Sequence, residues 1–168
     1  MPTLYLVRHG SAEPRGSLGD EKRRLTTDGR REVATAGAAL QRIGVAPGRI
    51  VSSPLLRAVE TAVILAGKFG FKGAPETLPE ALPDADPADF LRRLGNFPPG
   101  GILVAGHMPH LASSLSLALT GSASAGMGFP KAGAARVDFG GAPRVGAGLL
   151  VWFLPPEVLE AIAAAGRR

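Results

Sequence analysis

The sequence contains no cysteine. That excludes disulfides, thiolate catalysis, iron–sulfur clusters and cysteine-type zinc sites together, and it fits a cytosolic protein. Aromatic residues are scarce, at 5%, and Phe69, Phe71, Phe90 and Phe97 read as core or loop anchors rather than a base-stacking surface. Long apolar runs are missing too. The longest, Val145 to Leu154, is about half a membrane span and ends in Pro155-Pro156. The opening residues Met1-Pro2-Thr3-Leu4-Tyr5-Leu6-Val7-Arg8 have neither a basic n-region nor a long apolar h-region, so they do not read as a signal peptide. A soluble, cytoplasmic protein without a membrane partner is expected. Acidic side chains are in deficit, 14 against 19 Lys+Arg, giving a net charge of +5. The imbalance is local: residues 1–60 hold ten basic and six acidic side chains. An anionic ligand near that end is implied.

What is present is enough apolar material, 45% of 168 residues, for one packed domain spanning 1–168. Short apolar runs alternate with amphipathic stretches, which predicts a three-layer α/β/α fold with a mostly parallel central sheet. Strands are expected at Thr3–Val7, Arg49–Ser52, Ile102–Ala105, Ala134–Phe139 and Leu149–Leu154, with one late strand antiparallel. One helix is capped by Thr26 or Thr27, carries Val33, Ala36, Leu40 and Ile43 on its apolar face, and stops at Gly44. Others are expected over Leu55–Phe69 with Pro54 in the first turn, Ala88–Leu94, Pro109–Leu119 and Pro156–Ala165, while 73–87 reads as a loop.

Three strand ends carry the chemistry. The first ends in Arg8-His9-Gly10, the second runs into Ser52-Ser53-Pro54-Leu55-Leu56-Arg57, and the third ends in Gly106-His107-Met108-Pro109. In open α/β sheets, ligands bind at the carboxyl ends of strands. Two arginines, two histidines and helix N-termini there suit a tetrahedral dianion. An unprotonated imidazole beside a phosphate can attack phosphorus, provided its other nitrogen donates to a carbonyl that fixes the tautomer. Gly10 lets the chain turn sharply and brings backbone close to the ligand. Ser52 and Ser53 read as caps of the following helix, His110 as a capping or surface histidine, and no third ligand accompanies His107 and His110 to make a metal site.

These pieces resemble the histidine phosphatase superfamily, with its phosphoglycerate-mutase-like fold. Leu6-Val7-Arg8-His9-Gly10 looks like its signature, and Ser52–Ala58 with Glu60-Thr61-Ala62 like its second motif. Leu25-Thr26 with Gly29 and Gly106-His107-Met108-Pro109 complete a collinear match from residue 4 to about 120. The resemblance implies that His9 accepts the phosphoryl group and that Arg8, Arg57 and His107 bind it; with no metal-ligand cluster in the sequence, transfer without cofactor or metal is expected. The short chain is similar to the bacterial protein-phosphohistidine phosphatase branch. Arg24 falls where that branch has a substrate-facing arginine. The general acid of larger members falls to Glu80, with Asp84 as the alternative. A phosphorylated protein, such as a phosphorelay component carrying phosphohistidine, is the implied substrate of this hydrolase. A small-molecule phosphomonoesterase or mutase is the first rival. The second is a basic nucleic-acid-binding module, which the clustering of basic residues around the motifs disfavours, so no nucleic-acid partner is expected.

Overall fold

The computed structural model describes residues 1–124 and 126–165. Among these, six strands form a single sheet: β1 (Thr3–Arg8), β2 (Arg49–Ser52), β3 (Glu76–Thr77), β4 (Gly101–Gly106), β5 (Ala134–Phe139) and β6 (Gly148–Leu154). Their order is β3-β2-β4-β1-β5-β6. Strands β1 to β4 run parallel, β5 pairs antiparallel with β1, and β6 pairs antiparallel with β5. The reversed strand is therefore β5.

Alternation along each strand explains the layers. Tyr5 and Val7 of β1, Ile50 of β2 and Leu103 of β4 enter one core, whereas Leu4, Leu6, Val51 and Val104 enter the other. Helices α1 (Thr27–Arg42), α2 (Leu56–Phe69) and α5 (Pro156–Ala164) cover the first face, through Val33 and Leu40, Ala62 and Leu65, and Leu159. Helices α3 (Pro87–Gly95) and α4 (His110–Thr120) cover the second with Phe90, Leu91, Leu111 and Leu115. Strands buried on both faces need continuous apolar residues, which is why the central strands β1 and β4 lack polar alternation. No helix among the described residues is long and apolar enough to cross a membrane.

Several local expectations are corrected. Thr26 caps α1, its hydroxyl accepting from Gly29 N at 3.0 Å, but Ile43 lies beyond the helix and is 41% exposed. Helix α2 starts at Leu56 with Leu55 as its cap, so Pro54 precedes the helix instead of sitting in its first turn. The 73–87 segment holds the edge strand β3 and a 3-10 turn at Pro79–Ala81.

Gly10 is required for a reason other than a sharp turn towards a ligand. A Cβ on it would lie 2.5 Å from the Gly29 carbonyl oxygen, and a Cβ on Gly29 would lie 1.9 Å from the Ser11 carbonyl oxygen. The two glycines let α1 press backbone-to-backbone against the end of β1. Gly29→Ala is expected to force that junction apart and cost about 3 kcal/mol, lowering Tm by roughly 6–12 °C in a chain of this size. A thermal melt within 2 °C of wild type would refute the close approach.

Candidate active site

Parallel pairing puts three strand ends side by side. Arg8 is in register with Gly106, and Ser52 with Ala105. One residue further on, His9 N donates to the Gly106 carbonyl at 3.0 Å, and the His9 and His107 rings lie 5.0 Å apart, tilted by 55°. Arg57, in the first turn of α2, is 4% exposed and reaches the same place. Arg8, His9, Arg57 and His107 thus meet on one cavity of about 540 Å³. Arg15, Arg23 and Lys131 add positive charge to its wall, and Asp20, Glu21 and Asp84 add carboxylates. A larger groove of about 720 Å³ lies near the amino end of β2, lined by Val45, Pro47, Phe69 and Phe71. It has no His, Arg, Asp or Glu to do chemistry.

Burial sets the protonation of the site. The His9 Nδ1–H donates to the Gly10 carbonyl at 2.6 Å, which leaves Nε2 bare. Desolvation, partly opposed by that bond and reinforced by Arg57, Arg8 and Lys131, lowers its pKa to about 4. At neutral pH the ring is therefore neutral, the state in which imidazole nitrogen can attack phosphorus. His107 is lowered to about 3, by burial first and then by the charge of His9 and Arg57. Its Nε2 shares a short hydrogen bond with the Ser53 hydroxyl, which also accepts from Leu55 N at 3.3 Å. Ser53 therefore orients His107 as well as shaping the turn before α2, while the buried Ser52 hydroxyl finds no partner among the described residues.

Three buried nitrogens on the cavity residues lack a partner among the described residues: Arg8 Nε, Arg57 Nε and His107 Nδ1. Arg8 Nη1 is held by the Phe129 carbonyl at 2.8 Å, which fixes its guanidinium. Burying unsatisfied N–H donors costs free energy, and an oxyanion is a partner able to satisfy the two guanidinium N–H groups.

Other expected residues stand elsewhere. Arg24 is exposed and outside the cavity wall, its backbone N bonded to Glu13; Arg23 lines the wall instead. Glu80 is also off the wall, with Oε2 buried and unpartnered among the described residues, and the adjacent Leu82, Pro83 and Asp84 form that side. His110 is neither cap nor surface residue. It is 2% exposed, packed edge-on against Phe90 at 4.9 Å, and burial lowers its pKa to about 4. Asp20 and Lys131 escaped the sequence reading. The one signal for Asp20 was an acid following Gly19 inside a basic loop, and Gly19 indeed takes φ 84° to turn Asp20 inward. Among the described residues no three of His, Asp and Glu gather as a metal-ligand set.

A sequence profile of the histidine phosphatase superfamily (branch 1) matches residues 4–86, which contain His9, Arg57 and the Leu25-Thr26 turn. The chain belongs to the histidine phosphatase superfamily. It is 32% identical over 147 residues to an uncharacterized protein from Picosynechococcus sp., covering 80% of this chain and 88% of the other. The structure of the protein histidine phosphatase SixA complexed with tungstate superposes with a TM-score of 0.80 at 26% identity, covering 92% of this chain and 97% of that one. A phosphoserine phosphatase from Entamoeba histolytica in complex with 3-phosphoglyceric acid shares the fold, with a TM-score of 0.68 at 16% identity and 95% and 100% coverage. The α/β/α sandwich is thus the phosphoglycerate-mutase-like fold of histidine phosphatases, and phosphatase activity goes with the family.

Proposed function

We propose that the protein is a phosphohistidine phosphatase acting on a phosphorylated protein through a covalent phosphoryl group on His9. One observation carries the reading. The four cationic and imidazole groups converge on an open cavity, while Glu80, the acid expected from the sequence, stands off its wall. The likeness to SixA over nearly the whole of both chains supports it.

His9 Nε2 attacks phosphorus in line with the leaving group. The new P–N bond forms as the substrate's P–N bond breaks, and that bond's electron pair returns to the leaving imidazole. Protonation of the second ring nitrogen by solvent makes that imidazole a neutral leaving group, so an enzyme specialised for it needs no strong acid of its own. Arg8, Arg57 and His107 meet the charge on the equatorial oxygens. Water then attacks the phosphoryl group and gives up its proton, phosphate departs, and His9 is restored with Nε2 bare.

Asp84 on the cavity wall favours a second reading, hydrolysis of a small alkyl phosphomonoester, whose alkoxide leaving group requires a proton. One assay checks the covalent step that both readings share, and a second separates them. Rapid quenching without acid after mixing with labelled substrate should place phosphate on the peptide containing Arg8-His9-Gly10, and EDTA should not slow its formation. Glu80→Gln and Asp84→Asn should leave kcat/KM for a phosphohistidine protein within about threefold. A loss of about a hundredfold or more, the scale for removing a general acid, would move the alkyl-ester reading ahead.

A further inference from the structure

Arg57 reaches the cavity already engaged. Its Nη1 donates to the Asp20 backbone carbonyl at 2.9 Å, and its Nη2 donates to Asp20 Oδ2 at 3.1 Å. Both terminal nitrogens of the guanidinium fork therefore close on one residue. The other carboxylate oxygen, Oδ1, accepts from Arg23 Nη1 at 2.9 Å, and Arg15 Nε lies 3.5 Å from it. A single carboxylate thus ties three of the cavity's arginines together. Arg57 Nε, on the side edge of the guanidinium, remains buried and unpartnered among the described residues.

We infer that Asp20 is a positioning residue for phosphoryl transfer: it clamps Arg57 end-on and links it to Arg23, leaving the Nε side edge for the phosphoryl oxygens. This rests on the phosphatase reading above. Two roles are open to a carboxylate beside a phosphate-binding arginine, and they predict opposite effects. A carboxylate that competed with substrate would occupy the edge that substrate needs. Here it occupies the fork while the side edge stays unpaired, so Asp20 and a phosphoryl group can bind Arg57 together. Arginine tolerates this division because its five N–H donors are fixed in one plane, and holding the fork fixes the direction of Nε. The clamp also uses the short 3-10 turn Asp20–Lys22, so the loop before α1 orders the cavity from outside the sheet.

The test is Asp20→Asn, which keeps the shape but turns one acceptor into a donor facing a guanidinium. Its kcat for a phosphohistidine protein or an aryl phosphate should fall roughly tenfold to a hundredfold, less than the about 10²–10³ for losing a transition-state donor outright, because Arg57 itself remains. Affinity for vanadate, which mimics the transition state, should fall in parallel, whereas inorganic phosphate should bind no more weakly than threefold. In an Arg57→Ala background the same substitution should change kcat by less than twofold, because Asp20 acts through Arg57. Tighter phosphate binding with raised kcat/KM in Asp20→Asn would overturn the clamp in favour of competition. Equal losses in both backgrounds would overturn it in favour of a general loop defect. Retention of activity by His9→Ala would instead defeat the phosphatase reading itself, a distinguishable outcome.

Discussion

His9→Ala is expected to lose phosphatase activity by about three orders of magnitude or more, the scale seen when a covalent nucleophile is removed. The fold should survive. The His9 ring bonds only to its own neighbour Gly10 among the described residues, and its backbone N–H to Gly106, which holds β1 to β4, is untouched by the substitution. No cysteine exists to take over the attack, and the neighbouring His107 already spends Nε2 on Ser53. Arg57→Ala and Arg8→Ala remove charge stabilisation rather than the reacting atom, so each should cost about 10²–10³ in kcat. Steady-state rates with circular dichroism melts on all three variants check the ordering. Activity within tenfold of wild type in His9→Ala would end the covalent mechanism.

A steep loss of stability in mild acid is the second large effect expected. All three histidines are buried, with pKa values lowered to about 4, 3 and 4 at His9, His107 and His110, chiefly by desolvation. In the unfolded chain each titrates near about 6.5. Below that pH the unfolded state takes up protons that the folded state still refuses. Stability contributed by the neutral rings is thus complete above pH 6.5 and lost as pH falls towards 4 and 3. With up to three protons involved, the slope reaches about 4 kcal/mol per pH unit. Against a total of about 5–15 kcal/mol, the protein should unfold between about pH 4 and 5.5. Asp20 and Asp138, held below the usual carboxylate range by arginine partners, add their losses only at more acid pH. Urea titrations at pH 7, 6 and 5 measure the slope, and His110→Leu should reduce it by about a third. Stability unchanged from pH 7 to 5 would contradict the buried neutral rings.

The parts of this molecule that could be read in advance are those whose reason is local. Arg49–Ser52 and Ala134–Phe139 match their strands residue for residue: Ile50 and Val51 are a short β-branched apolar pair, and Ala135, Val137 and Phe139 alternate with Arg136 and Asp138 at the two-residue period of a strand. That Thr26 or Thr27 caps α1 was recognisable from hydroxyl chemistry, and the structure selects Thr26. The strand ends placed His9, Arg57 and His107 near one another before any coordinates. What escaped depended on distant partners. The two-residue strand β3 exists only because β2 offers it an edge, and His110 is buried only because Phe90 closes over it. In the loop from Ser11 to Arg24 there is no periodicity to say which arginine turns inward. The Asp20–Lys22 turn decides it, selecting Arg23 over Arg24.

The spacing of the two cavity rings has a consequence for how the protein can change. His9 and His107 each follow a residue of a parallel strand pair, so their separation is the interval between adjacent strands, fixed by main-chain hydrogen bonds. Side-chain packing beneath them fills volume but does not set that interval. The hydrophobic layers can therefore drift by many volume-conserving exchanges while the gap between the rings stays constant. The same feature ties the site to the most slowly opening part of the chain: the amides of β1 and β4, central in the sheet and buried on both faces, should exchange with solvent only on global unfolding.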